Sequence, residues 1–289
     1  MDGVLNIYKP TGMTSYDVVH KIKKLCNTKK VGHTGTLDPE ASGVLLICIG
    51  KATKIADYIM SDYKIYKTEL RLGITTDSYD RVGKILSTSK ISANEETVVN
   101  VIKSFIGENY QVPPMYSAIK VNGQKLYDLA RQGIEIEREA RKVYFYEIEI
   151  KNVKLPYVEF LVKCSKGTYI RSLCYDIGNK LGCGGTMWNL ERVATGNFKL
   201  IDAIKLDELT SENVNEYMIS INDALSKFES IHIADKYEKL LLNGVVIKNQ
   251  NILINIDLGE IYKVYLGDNK FIGLGCKDES GFKIIKMLI

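Results

Sequence analysis

The sequence predicts an α+β protein with a mixed, largely antiparallel central sheet flanked by helices, followed by a small β-rich module. Three observations carry that expectation. Runs with two-residue alternation, "YKIYKTELRLG", "RKVYFYEIEI" and "YVEFLVKC", crowd the middle of the chain. Amphipathic helices interrupt these runs singly and do not alternate with them as βαβ units would. From about Ile231 onward, "LLNGVVI", "EIYKVYLGDNKFIGLGC" and "GFKIIKMLI" read as a small all-β module of short strands and glycine turns.

The elements follow in order. "GVLNIYK" is a short strand and "PTGM" a turn. "TSYDVVHKIKKLC" is a helix capped by Thr14 or Ser15, with Asp17 in its first turn and Val18, Val19, Ile22 and Leu25 on one face. After the loop "GHTGTLDPEASG" come the apolar strand "VLLICIG" and a helix from about Lys51 to Asp62. In the strand "YKIYKTELRLG", Tyr66, Thr68, Leu70 and Leu72 share the inward face, and Lys67, Glu69 and Arg71 the other. "NEETVVNVIKSFIG" is a helix with Asn94 as cap and Gly107 as stop. "SAIKVNGQKLYDLARQG" reads as strand, Asn-Gly turn and short helix. In "SKGTYIRSLCYDIGNKLG" Thr168 is the expected N-cap of a helix that buries Ile170, Leu173, Cys174, Ile177 and Leu181. The acidic stretch 201–230 reads as connecting helix and linker, which divides the chain into residues 1–228 and a module at 229–289.

Composition narrows the function. No apolar run approaches the roughly 20 residues that span a bilayer, and "MDGVLNIYKP" is no signal peptide, so the expected location is the cytoplasm, away from membranes. Six scattered cysteines without a C-x-x-C pair, and only three histidines, predict reduced thiols and no metal site. Residues 1–200 carry 29 Lys and Arg against 21 Asp and Glu, whereas residues 201–230 carry 2 against 7. A basic excess on one part suits a polyanion, and it suits a solvated lysine surface equally well.

The loop "GHTGTLDPEASG" sets one aspartate, Asp38, directly before a buried strand, where chemistry is commonly placed. Three familiar chemistries fail there. Six residues separate Gly43 from Gly50 in "GVLLICIGKAT" where a phosphate loop has four, Gly32 and His33 occupy the place of an aspartyl-phosphate nucleophile, and no Gly-x-Ser-x-Gly elbow exists. A second informative place is "KGTYIRS". Arg171 falls in the first turn of its helix, where a cation opposes the dipole at a cost of about 0.3–1 kcal/mol. Such a placement wants an anion. Asp38 at about 4 Å would gain roughly 4 kcal/mol at an effective dielectric near 20. The alternative is that Asp38 caps a turn beside Pro39 and Arg171 pairs with another acid.

Five blocks, "LNIYKPTGMTSYDVV", "GHTGTLDPEASGVLLICIGKATK", "YKTELRLGITTDSYDRVG", "VPPMYSAIKVNGQKLYDLAR" and "CSKGTYIRSLCYDIGNKLG", together closely resemble the TruB family, the bacterial tRNA pseudouridine-55 synthases. The resemblance covers residues 3–200 in order and weakens beyond, where that family carries a small PUA-like RNA-binding module. It implies the pseudouridine synthase fold and conversion of the T-loop uridine of tRNA (U55) into pseudouridine, with base flipping and no cofactor or metal. Asp38 is implied as the catalytic carboxylate, either attacking C1′ or removing the C2′ proton. Tyr66 matches the tyrosine that stacks on the base, and Arg171 the arginine that pairs with the aspartate. Leu190 in "WNLERV" matches an apolar pocket residue, and His33 a histidine that fills the space vacated in the T-loop. Tyr169, Lys120 and Lys9 complete the implied substrate-binding set, with Lys21, Lys23, Lys24, Lys29 and Lys30 as further candidate phosphate contacts. The resemblance also implies a monomer that acts on the T-arm stem-loop without an obligatory protein partner. The segment at 111–131, long and polar-flanked, is expected to order on RNA. An RNA-binding protein, or a guide-RNA-dependent relative on the same scaffold, is the alternative.

Overall fold

The computed structural model describes every residue except 61, 62 and 122, so the expected helix end at Asp62 and the Asn122 of the Asn-Gly turn lie outside the described residues. Strand β1 (Gly3–Lys9) leads into helix α1 (Ser15–Leu25), then β2 (Val31–His33) and β3 (Ser42–Ile49). Thr14 and Asp17 close a reciprocal capping box at the start of α1, with Asp17 N–H to Thr14 Oγ1 at 3.1 Å and Thr14 N–H to Asp17 Oδ2 at 2.8 Å. The expected helix at 51–62 is instead a 3-10 turn over Gly50–Ile55 followed by the single turn α2 (Ala56–Ile59).

Strand β4 (Tyr63–Leu72) alternates as expected, with Tyr66, Thr68, Leu70 and Leu72 buried. A hairpin of β5 (Ile74–Thr76) and β6 (Ile85–Thr88) follows, then α3 (Glu95–Lys103), whose Asn94 cap accepts from Thr97 N–H at 2.8 Å. Gly107 stands beyond the helix end and opens β7 (Gly107–Gln111). The small hairpin β8 (Lys120–Val121) and β9 (Gln124–Lys125) runs into α4 (Leu126–Arg131), and β10 (Arg141–Lys154) pairs with β11 (Tyr157–Ser165). Helix α5 (Ile170–Lys180) precedes β12 (Gly185–Thr195), β13 (Phe198–Lys199) and β14 (Ile204–Lys205).

The main sheet runs β14-β1-β3-β12-β4-β11-β10-β7, with β2 beside β3 and β13 beside β12. It is antiparallel except where β1 meets β14 and β12 meets β3. One face is covered by α1, α3 and α5, whose Val18, Ile22, Val98, Ile102, Leu173 and Ile177 join Leu70, Val158 and Phe160 in one core. β3 is buried at all eight positions, which explains its unbroken apolar run. Its second face packs Val44, Leu46 and Cys48 against Ala52, Ile55 and Leu274.

The acidic stretch is not a connecting helix. Its Leu206, Leu209 and Val214 enter the main core, and turns with the single-turn helix α6 (Ile221–Ala224) make up most of it. A second sheet, β15 (Ser230–Ile233), β16 (Ile261–Leu266), β17 (Lys270–Asp278) and β18 (Gly281–Met287), begins at Ser230. Short helices over Glu238–Leu242 and Gln250–Leu253 make this module β-rich and not all-β.

The halves of the main sheet join through two pairs, Glu191 with Ser42 and Arg192 with Gly43. Gly43 has φ +104°, and a Cβ there would lie 2.3 Å from the Arg192 carbonyl oxygen. Gly12 also has positive φ, +81°, but nothing lies within 4 Å of its would-be Cβ. Gly43→Ala is therefore expected to cost about 2 kcal/mol or more, and Gly12→Ala about 1 kcal/mol. Thermal unfolding of both variants checks this, and equal melting temperatures would show that the seam tolerates a methyl group.

Candidate active site

The loop at 34–41 is pinned from both sides. The hydroxyl of Ser15, the first residue of α1, accepts from Leu37 N–H at 2.9 Å and donates to the Leu37 carbonyl at 3.1 Å. The Pro39 carbonyl accepts from Gly12 N–H at 2.9 Å and from Lys9 Nζ at 3.3 Å. Ala41 N–H returns to the Asp38 carbonyl at 3.1 Å. Asp38 is thus held between two fixed neighbours, its side chain one-third exposed at 33%.

Arg171 comes from the first turn of α5 and is buried. Its guanidinium grips Asp38 with two bonds, Nε to Oδ2 at 2.9 Å and Nη2 to Oδ1 at 3.1 Å. Nη2 also donates to the Tyr116 carbonyl at 2.7 Å, and Nη1 to the Ser78 carbonyl at 3.3 Å. Asp80 stands behind, with Oδ2 3.8 Å from Nη1. Burial raises the Asp80 carboxyl above its ordinary range, a shift that the Ser78 hydroxyl and Arg171 oppose. Thr168 is not the N-cap of α5. Tyr169 takes that position without a side-chain cap, its N–H donating to Gln111 Oε1 at 2.8 Å, while the Thr168 hydroxyl sits 3.3 Å from that of Ser165.

Tyr66 projects from β4 directly opposite Arg192 of β12. Burial pushes its phenol up to about 12, with the Arg192 charge and hydrogen bond opposing the shift and the Asp38 charge adding to it. Leu190, on β12 opposite Thr68, is buried in the main core with Tyr66. His33 ends β2 half-buried, with Nδ1 accepting from Gly35 N–H at 3.3 Å. Burial and the Arg192 charge pull its imidazole below the usual range.

The expectation that Lys9 binds substrate needs revision. It is fully buried, and its ammonium donates to the carbonyls of Pro10 at 2.8 Å, Met13 at 2.7 Å and Pro39 at 3.3 Å, so all three donors are used inside the protein. Burial draws it down to about 8, against the charges of Asp38 and Glu40. Lys120 is exposed on the β8–β9 hairpin, as are Lys21, Lys24, Lys29 and Lys30 around α1. Lys23 is half-buried over the Tyr16 ring at 5.9 Å.

Sequence reasoning missed Asp80, Ser78, the Tyr116 carbonyl and Arg192. Asp80 and Ser78 look like ordinary turn residues in "TTDSYDRVG", and a carbonyl leaves no side-chain signal. An arginine inside an apolar-flanked strand was the one clue available for Arg192. Among the described residues no three His, Cys, Asp or Glu side chains group as metal ligands.

A carboxylate one-third open to solvent and fixed by a buried guanidinium can act on an electrophilic carbon or take a proton. Comparison with known proteins gives the family of the chain. The model of the TruB family pseudouridylate synthase N-terminal domain matches residues 23–170, and that of the tRNA pseudouridylate synthase B C-terminal domain matches residues 171–229. Proteins named tRNA pseudouridine synthase B from Clostridium tetani, Clostridium acetobutylicum and Clostridium novyi are 57%, 56% and 54% identical, each over 100% of both chains. A chain of a Cbf5-Nop10-Gar1 complex superposes with TM-score 0.75 at 27% identity, covering 99% of this chain and 85% of that one. A chain of an H/ACA ribonucleoprotein bound to a substrate RNA containing 2′-deoxyuridine shares the fold, with TM-score 0.73 at 24% identity over the same shares. The protein therefore has the pseudouridine synthase fold and belongs to the TruB family of pseudouridylate synthases.

Proposed function

We propose that this chain converts the T-loop uridine of tRNA, uridine 55, to pseudouridine by itself and without a cofactor, with Asp38 as the catalytic carboxylate. The observation that carries the reading is the bidentate Asp38–Arg171 pair, in which the arginine is buried and the aspartate faces solvent. The names of the full-length relatives support tRNA as the substrate.

The reaction is an isomerisation. The C1′–N1 bond breaks, the uracil turns, C5 bonds to C1′, and the C5 proton is lost while N1 gains one. Attack by Asp38 at C1′ and removal of the C2′ proton both use a carboxylate oxygen as the nucleophile or base. Arg171 does more than neutralise. Its fork fixes both carboxylate oxygens, so the aspartate meets the sugar in one orientation.

The target base must leave its stack, at a cost of a few kcal/mol. In this reading Tyr66 stacks on the extruded uracil with Leu190 beside it, His33 occupies the space left behind, and Tyr169 lines the entrance at the start of α5. Lys120 and the lysines of α1 supply phosphate contacts, while Lys9 supports the loop from within. Residues 229–289 form a PUA-like module that adds RNA surface, and residues 1–228 carry the chemistry.

The test incubates the protein alone with an unmodified T-arm stem-loop in chelator, then digests the RNA and looks for pseudouridine. Wild type should form product. Asp38→Asn should lower turnover at least 1000-fold while leaving the RNA dissociation constant within threefold, a change under about 1 kcal/mol. Bound but unconverted RNA with wild type would favour the guided or non-catalytic alternative.

Two further outcomes follow from the site. Arg171→Met leaves Asp80 and two buried carbonyls without their guanidinium and should destabilise the protein by about 3–5 kcal/mol in denaturant titration. Asp38→Asn, at a partly exposed position, should cost about 1 kcal/mol or less. Equal losses would mean that the pair is not buried on the arginine side. Because burial holds the Tyr66 phenol near 12, the rate should show no tyrosine ionisation between pH 6 and 10. Tyr66→Phe should lower the rate about 100-fold at every pH in that range, and a limb between pH 6 and 10 that vanishes with the hydroxyl would show that Tyr66 titrates there.

A further inference from the structure

A second arginine–carboxylate pair stands beside the first. Arg81 follows Asp80 in the turn of the β5–β6 hairpin, and Glu40 follows Asp38 by two residues in the aspartate loop. Arg81 Nη2 donates to Glu40 Oε2 at 2.7 Å, and Nη1 donates to Asn189 Oδ1 on β12 at 2.7 Å. The Asn189 amide in turn donates from Nδ2 to Glu69 Oε2 on β4 at 2.5 Å. One guanidinium thus joins the hairpin, the aspartate loop and two central strands.

The hairpin has need of such a tie. A two-stranded ribbon is marginal by itself, and β6 is exposed at all four positions, with the apolar side chains of Val82, Ile85 and Leu86 in solvent. Yet this turn supplies groups that hold Arg171: the Ser78 carbonyl accepts from Nη1 at 3.3 Å, and Asp80 Oδ2 lies 3.8 Å from the same atom. Backbone pairing fixes the turn to β12, where Met187 N–H donates to the Tyr79 carbonyl at 3.0 Å. The Arg81 pair fixes it to the aspartate loop. Asp38 and Glu40 flank Pro39, so a guanidinium on each carboxylate holds the loop at two points, and a loop held at two points cannot pivot about either.

As a stabiliser the Arg81–Glu40 pair is poor. Side-chain exposures of 32% and 33% put it where water screens the charges. What it supplies is geometry, a fork that meets two acceptors on elements 41 and 108 residues away. Its charge is matched by Glu40, which makes it a poor phosphate ligand. We propose that Arg81 is a positioning residue for the reaction: by latching the β5–β6 turn to Glu40 and Asn189, it sets the orientation in which Asp38 meets the sugar. This inference rests on the function proposed above. Arg81 acts through the loop and not by contact with RNA. A misplacement of about 1 Å can cost about 100-fold in rate, so a pair that adds little to stability can still govern turnover.

The experiment is a double-mutant cycle in single-turnover conversion of the T-arm stem-loop at saturating protein, using wild type, Arg81→Met, Glu40→Met and the double variant. Each single variant should lower the rate at least fivefold, leave the RNA dissociation constant within threefold and keep the melting temperature within about 3 °C. The double variant should be less than twofold slower than the slower single one, because both substitutions open one latch. A second readout needs no RNA. The Arg171 Nε–H resonance in 15N spectra, assigned from its shift in Asp38→Asn, should move in both single variants. Losses that multiply in the double variant, an unchanged rate or an unmoved Arg171 resonance would overturn the inference while leaving the synthase reading intact. Affinity weakened more than threefold at an unchanged saturating rate would make Arg81 a phosphate contact and overturn it too. Arg81→Lys, which keeps the charge and loses the fork, is made alongside and should slow conversion at least threefold. Loss of the native circular dichroism in both Arg81 variants would overturn the inference, because Arg81 would then be a residue of the fold. Absence of pseudouridine from wild type would overturn the synthase reading and this inference together.

Discussion

Burying the Arg171 guanidinium is the constraint on which the rest of the site depends. Removing such a group from water costs several kcal/mol unless its donors are met. Here they are met by parts of the chain far apart in sequence: Asp38, 133 residues away, the Tyr116 carbonyl, 55 away, and the Ser78 carbonyl, 93 away. No one of these contacts can form without the fold that brings the aspartate loop, the β5–β6 hairpin and the segment after β7 to the start of α5. The helix start itself is poor by local rules, with no side-chain cap, no acid in its first turn and a cation facing the dipole. Local helix stability is given up where a fixed charge is required.

A charged pair alone would leave the carboxylate free to swing with its loop. The loop is therefore also tied by its backbone, to Ser15, Lys9 and Gly12. Ser15 caps nothing for its own helix and serves Leu37 in both directions, and Lys9 binds a carbonyl on each side of the turn. A buried ammonium is ordinarily unfavourable, and burial does draw Lys9 down to about 8. Three carbonyl acceptors and the nearby Asp38 and Glu40 charges offset that cost, so the cation works as an internal brace. Rigid support of this kind is what lets a one-third-exposed carboxylate keep a single orientation.

Much of this was legible beforehand, for reasons that can be named. The helix start with its cap at Thr14, one of the two residues expected, the Asn94 cap and the alternation of β4 are local patterns, and each formed. The Asp38–Arg171 pairing was readable because a cation at a helix start is a local misfit that asks for a distant anion. The strand β12 was not recognised, although it is central. Its Asn189, Glu191 and Arg192 disguise it, and each polar group has a long-range acceptor or donor: Asn189 with Glu69 at 2.5 Å, Glu191 with the Tyr8 hydroxyl at 3.4 Å, and Arg192 with Val44 at 2.7 Å. The acidic stretch misled for the opposite reason. Its charges hid three leucine and valine side chains, Leu206, Leu209 and Val214, that complete the core. Lys9 in "YKP" carried no sign of burial, because its partners are backbone carbonyls that every sequence possesses.

The segment between β7 and β10 stands apart energetically from this rigid assembly. It holds a small core of its own, Met115, Leu126 and Leu129, separate from the main one. Its ties to the site include Tyr116 carbonyl to Arg171 and Val112 carbonyl to the Ser172 hydroxyl at 2.9 Å. Each such bond contributes about 0.5–1.5 kcal/mol net, so lifting the segment would cost little compared with breaking into the sheet. Arg171 would lose the Tyr116 acceptor but keep Asp38 and Ser78. The charged pair thus rests on the main core, and Lys120 on a hairpin that packs into a small core of its own. Under the function proposed above, that division meets two requirements at once: the carboxylate needs one fixed geometry, and a loop of RNA needs room to enter.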